Sequence, residues 1–172
     1  MPRQYYRKSY AKSSGFTLLE LIIVIVLVGI LGVTASSRFF GAKSISAPVY
    51  RDQLISSLRL SQMRAMQSRD VCHRWLLAGN QAGQVDIGMP TCTSNSFPVG
   101  GNTDQTAVVA EDNLAVSFSL SINDSPILLP HSLDFDSLGR INQCREGCRI
   151  TIQGSDTLSI CIEKEGYIHA CQ

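Results

Sequence analysis

The stretch Ser14-Gly15-Phe16-Thr17-Leu18-Leu19-Glu20, continuing through apolar residues to Val33, decides how this chain is organised. A basic leader ends at Gly15, an apolar run opens on Phe16, and a single acid, Glu20, stands fifth in that run. As a helix, residues 16–35 cover about 30 Å, close to the thickness of a bilayer's hydrocarbon core. Glu20 is the only ionisable group in that stretch. A carboxylate held in hydrocarbon is costly unless it is paired, hydrated or protonated. The run therefore predicts a transmembrane helix over 16–38. Its one anion needs a cation that the span itself does not contain.

Two plainer readings compete. Val33-Thr34-Ala35 before Ser36 has the small residues of a signal-peptidase site. A secretory signal, however, has a shorter apolar region, and an acid inside it is out of place. A simple single-span anchor would explain Arg3, Arg7, Lys8 and Lys12 by the positive-inside rule. It gives no reason for Gly-Phe at the boundary.

Working outward, 172 residues allow one globular domain beyond the anchor, and the net charge of +1 conceals a segregation. The leader 1–15 carries +4 and residues 36–70 carry +4, whereas residues 71–172 carry −6. A basic stalk is thus followed by an acidic head. An acidic head argues against nucleic-acid binding, which depends on clustered Lys and Arg.

All six cysteines lie in that head: Cys72, Cys92, Cys144, Cys148, Cys161 and Cys171. An even count confined to the region beyond a span points to three disulfides in an oxidising compartment. Arg145-Glu146-Gly147 reads as a three-residue hairpin loop that sets Cys144 opposite Cys148. Cys161 and Cys171 flank Lys164-Glu165-Gly166 on one side of a hairpin, two residues out of register, which leaves Cys72 with Cys92. That mismatch keeps Cys148–Cys161 with Cys144–Cys171 open. A zinc site among the four late cysteines lacks paired C-x-x-C spacing.

Gly29 and Gly32 lie inside the span, where they permit close helix approach. Gly41 and Pro48 punctuate the chain after it. Residues 39–70 read as an amphipathic helix, its period clear from 49 to 69. Tyr50, Leu54, Leu58, Ser61 and Ala65 form one stripe for packing on a sheet, with Leu60 and Met63 on the opposite side. Arg59, Arg64, Arg69 and Arg74 recur every five residues and spiral round the axis, which reads as solvated charge. Residues 71–172 read as a β-rich head with strands at 71–77, 84–89, 106–110, 114–120, 132–135, 149–153, 158–163 and 167–171. Residues 90–105 read as a surface loop tied down by Cys92. The fold class is α+β: a long N-terminal helix, transmembrane in its first half, packed on an antiparallel, disulfide-linked head.

Gly15-Phe16-Thr17-Leu18-Leu19-Glu20-Leu21 resembles the processing motif of type IV prepilins and type II secretion pseudopilins. The resemblance implies that a prepilin peptidase cuts after Gly15 and methylates the new N-terminus at Phe16. Glu20 would then pair with the terminal amine of a neighbouring subunit during assembly. A weaker similarity covers the head. Arg51-Asp52-Gln53-Leu54, Leu58-Arg59-Leu60-Ser61-Gln62, Ala65-Met66 and Phe135-Asp136-Ser137-Leu138-Gly139-Arg140 resemble the pseudopilin H and FimT group of minor pilins. Within it, the Cys-rich C-terminus looks most like minor pilins of the mannose-sensitive haemagglutinin (MSHA) pilus. Ser37 departs from the proline that many major pilins carry there.

The resemblance implies a minor type IV pilin that assembles into or primes an adhesive surface pilus. It would stand in the inner membrane with its head in the periplasm, and in an extracellular pilus afterwards. Its partners would be other pilin subunits, the prepilin peptidase, the inner-membrane assembly platform and, before assembly, the lipid bilayer. A type II secretion pseudopilin shares every motif, and a DNA-receptor pilin would need a basic head. No cofactor or metal is expected. His73, His131 and His169 lack metal-ligand spacing, and Cys72-His73 would point to opposite faces of a strand, so no enzyme is expected.

Overall fold

The computed structural model describes residues 17–39, 42–99, 101–102, 104–111 and 115–171. It divides into two compact units, Met1–Gly41 and Ala42–Gln172. In the first, α1 (Leu18–Phe39) has 22 residues, about 33 Å at 1.5 Å per residue. Among the described residues, no helix is long and apolar enough to cross a membrane.

The second unit starts with α2 (Ala42–Gln67). Helix therefore begins before the periodic stretch at 49, and Pro48 lies inside it rather than breaking it. Proline removes one backbone bond and crowds the carbonyl four residues back. In the second turn this disturbs only the start of the ladder. The stripe reads as expected: Leu54, Leu58, Ser61 and Ala65 are fully buried and Tyr50 nearly so. On the far side Met63 is exposed, while Leu60 is half-buried.

Two antiparallel sheets follow. The first runs β3-β2-β1-β6, with β1 (Arg74–Leu77), β2 (Gln81–Val85), β3 (Val108–Val109) and β6 (His131–Asp134). The second runs β5-β4-β7-β8-β9, with β4 (Ser117–Ile122), β5 (Ser125–Ile127), β7 (Cys148–Gln153), β8 (Thr157–Ile162) and β9 (Ile168–Ala170). Helix α2 packs on strands of both sheets. One core joins its stripe to Trp75, Leu77, Phe118, Leu120, Ile150 and Ile160. Burying each such side chain contributes about 1.5–3 kcal/mol, which makes this face the main source of the head's stability.

Several expected boundaries shift for local reasons. The strand expected at 84–89 is Gln81–Val85. A two-residue turn at Gly79 and Asn80 starts it, with the Gln81 carbonyl accepting from the Ala78 N–H at 2.8 Å. Asp86, at φ +54, ends it. The first strand starts at Arg74 rather than 71. Strand β5 was not expected at all. Its signal was Asn123-Asp124, both at positive φ between Ile122 and Ser125, the geometry of a two-residue hairpin turn.

The disulfides are Cys72–Cys92, Cys144–Cys148 and Cys161–Cys171, so the crossed alternative is not formed. Cys161 stands opposite His169, two residues short of Cys171, as the hairpin register requires. Cys144 departs from expectation. It ends a 3₁₀ turn (Asn142–Cys144), not a strand, and the Gly147 N–H closes on its carbonyl at 3.0 Å.

Candidate functional site

The sequence places the chemistry of this chain at the start of α1. Gly15 and Phe16 lie outside the described residues. Thr17 caps the helix: its carbonyl accepts from the Leu21 N–H and its Oγ1 accepts from the Glu20 N–H, both at 3.2 Å. A threonine followed three positions later by a glutamate is the capping-box pattern. It satisfies a free N–H and puts the carboxylate in the first turn, at the positive end of the helix dipole. Among the described residues, those of α1 around Glu20 are apolar. Leu18, Leu19, Leu21, Ile22, Ile23 and Val24 are all between 45% and 77% exposed. Among the described residues no ion pair involves Glu20. The arrangement is an anion on an apolar rod, with room beside Gly29, where an added Cβ would meet nothing within 4 Å.

The head settles most of its polar groups internally; among the described residues Ser61 Oγ, His73 Nδ1 and His131 Nε2 are buried without a hydrogen-bond partner. Arg64 donates to Asp104 at 2.8 Å and to Gln84 at 2.9 Å. Asp104 also accepts from the Thr106 N–H and hydroxyl. Burial raises the Asp104 pKa, but the bonds from Arg64 and Thr106 outweigh it and hold it at about 2. The chain of bonds continues inward. Ser57 donates to the Thr106 carbonyl at 2.5 Å and accepts from the Trp75 indole at 2.8 Å.

Arg74 binds Asp134 through two parallel bonds of 2.7 and 2.9 Å and reaches Ser94 and Asn95. Asp86 accepts from the Thr93 and Ser94 N–H groups, so the loop tied by Cys92 is pinned at its base. Arg59 donates to the Ile168 carbonyl at 2.8 Å. Three of the four arginines read as solvated charges are therefore structural links. Only the exposed Arg69 fits that reading.

Gln62 donates to the carbonyls of Gly139 and Gly166 at 2.6 and 2.7 Å, clamping two turns onto α2. Both glycines have positive φ. A Cβ at Gly139 would meet Met66 Sδ at 2.9 Å, so neither position admits a larger residue without strain. The turn at 135–140 is as expected, with Asp136 accepting from the Leu138 and Arg140 N–H groups at 2.9 Å.

No metal-holding cluster occurs among the described residues. Cys72 is in a disulfide, and His73 is buried beside Ser68 at 3.0 Å, its pKa lowered by burial. A groove of about 790 Å³ beside the pinned loop is lined by Ile87, Met89, Phe97 and Val99 with Asp86 and Asp104. Both carboxylates are already engaged by the chain's own donors.

Residues 10–36 match the family described as the prokaryotic N-terminal methylation motif. No curated protein and no solved structure matches the chain. The matched segment holds Gly15, Phe16 and Glu20 together, and it supports a type IV pilin-like protein. Such a motif implies cleavage by a prepilin peptidase and assembly with other pilins, and it is consistent with membrane anchoring before assembly.

Proposed function

We propose that this chain is a minor type IV pilin of the MSHA type, a structural subunit with no catalytic role, serving a pilus used for attachment. One observation carries the reading: the methylation motif puts Glu20 in the capped first turn of a helix whose described side chains are apolar and exposed. On this reading the apolar run of residues 16–35 is the inner-membrane anchor before assembly. It then exchanges lipid for neighbouring apolar helices, which keeps its surface out of water. Glu20 makes the exchange selective, because a buried carboxylate without a cation is destabilising by several kcal/mol. The methylated amine of Phe16 on an adjacent subunit supplies that cation. Three disulfides suit a head that works in the periplasm and outside the cell. The charge of −6 over residues 71–172 speaks against DNA uptake.

Intact mass spectrometry of the protein taken from pili tests the reading. The expected species starts at a methylated Phe16 with all six cysteines oxidised. A chain starting at Met1 or at Ser36 would overturn it. Release of the chain by cells that lack the pilus but hold a type II secretion system would reassign it as a pseudopilin.

A further inference from the structure

The β8–β9 hairpin carries a group that the assembly reading does not use. His169 lies on β9, directly across from Cys161 on β8. Its Nε2 is 3.0 Å from Glu163 Oε1, and its Nδ1 is 2.9 Å from the Ala170 carbonyl. Tyr167 stacks on the ring at 4.8 Å with an interplanar angle of 20°. Both ring nitrogens thus face oxygens that only accept. A neutral imidazole has one N–H and satisfies one of them, leaving a lone pair against the other. The imidazolium satisfies both.

What the hairpin holds gives this arrangement a consequence. Its turn presents the Gly166 carbonyl to Gln62, and β9 presents the Ile168 carbonyl to Arg59. These are the bonds by which this edge of the second sheet grips α2. The Cys161–Cys171 bond adds a covalent tie from the residue across from His169 to the residue after β9, and the 163–167 turn holds neither of its anchor points.

We propose that His169 is a pH-operated latch: its protonated ring ties Glu163 to β9 and holds the 163–167 turn against α2, and deprotonation loosens that grip. The charged groups around the ring favour this sense. Glu163, at the end of β8, attracts the proton. Arg59 of α2 opposes it, but its guanidinium donates to the Ile168 carbonyl. Lys164 and Glu165 in the turn offset each other at 3.5 Å. The bond to Glu163, then the Ala170 carbonyl, raises the His169 pKa above its ordinary 6.5. For a histidine with a raised folded-state pKa, the stabilisation is fully present below the unfolded value and is lost as pH rises through the folded one. The latch is therefore closed in mild acid and open in mild alkali. It is a property of the head and does not depend on how the chain assembles.

Amide hydrogen exchange on the full chain in detergent, corrected for intrinsic rates, tests it. The reporters are the Glu163, Gly166 and Cys171 N–H groups, which bond to Tyr167, Glu163 and Ser159. The β4–β7 ladder is the reference. Between about pH 5.5 and pH 8 their protection should fall about threefold to tenfold relative to the reference, following the ring titration of His169. Glu163→Gln keeps the side-chain shape and should remove that dependence, as should His169→Gln. Protection that does not change with pH in the unmodified chain overturns the latch. So does a Glu163→Gln variant that keeps the full pH dependence.

Discussion

The start of α1 and the head solve the same problem in opposite ways. In the head, apolar stripes from α2 and two sheets close on each other. Tyr50, Leu54, Leu58 and Ala65 vanish beneath Trp75, Phe118 and Ile150, and Ser57 and the Trp75 indole among them are paired within the chain. At the start of α1, residues of greater hydropathy remain exposed, and the one carboxylate has no cation among the described residues. A sequence that buries its own apolar surface specifies a stable domain. On the function proposed above, a sequence that leaves it uncovered is built to associate, and the lone charge selects the partner. The two regions should therefore respond independently to substitution.

The strongest break between them is Glu20→Ala. Recovery of the variant in sheared pili should fall at least about tenfold, the loss expected when a buried charge pair worth more than 1.4 kcal/mol is removed. Membrane insertion and the head's melting temperature should not change. Normal incorporation would remove the pairing argument.

Leu58→Ala does the reverse. It removes a fully buried side chain from the centre of the stripe and should cost about 2–5 kcal/mol in denaturant unfolding. Leader removal, read by intact mass, should proceed as before. A loss of processing would mean that the regions are coupled.

Cys161→Ser with Cys171→Ser opens a bridge spanning 10 residues. It should cost about 2–3 kcal/mol on the unfolded-chain account of disulfides. Calorimetry at fixed pH measures it, and an unchanged melting temperature would show that β9 is held by its ladder alone.

The smallest effect is acid-sensitive. The Asp104 carboxyl titrates at about 2 against an ordinary value of 3.8. Its contribution is present above the ordinary value and is lost as pH falls from about 4 toward 2, roughly 1–2 kcal/mol in all. Asp104→Asn should flatten the stability profile across that window. An unaltered acid limb in the variant would locate the acid sensitivity elsewhere.

Local patterns carried much of this structure. The apolar run with Glu20, the α2 stripe and the turn at 135–140 are all periodicities or turn chemistries local to one segment of the chain. Loop length brought Cys144 near Cys148 and Cys161 near Cys171, but the register mismatch left the crossed pairing open until the structure showed which bonds form. Two signals were present but unread: Gly79-Asn80 and Asn123-Asp124, each a two-residue turn that sets the strands beside it.

By itself, then, the sequence determined which stripe of α2 is hidden and that Glu20 is the one ionisable group of residues 16–35. These follow from side-chain chemistry and from the period of helix and strand. Only the tertiary structure decided the fate of the arginines, the clamp of Gln62 on two turns and the pairing of His169 with Glu163. The Arg59, Gln62 and Arg64 bonds link residues 20 to 109 positions apart. No local pattern records such distances, because they are set by how α2 lies across two sheets.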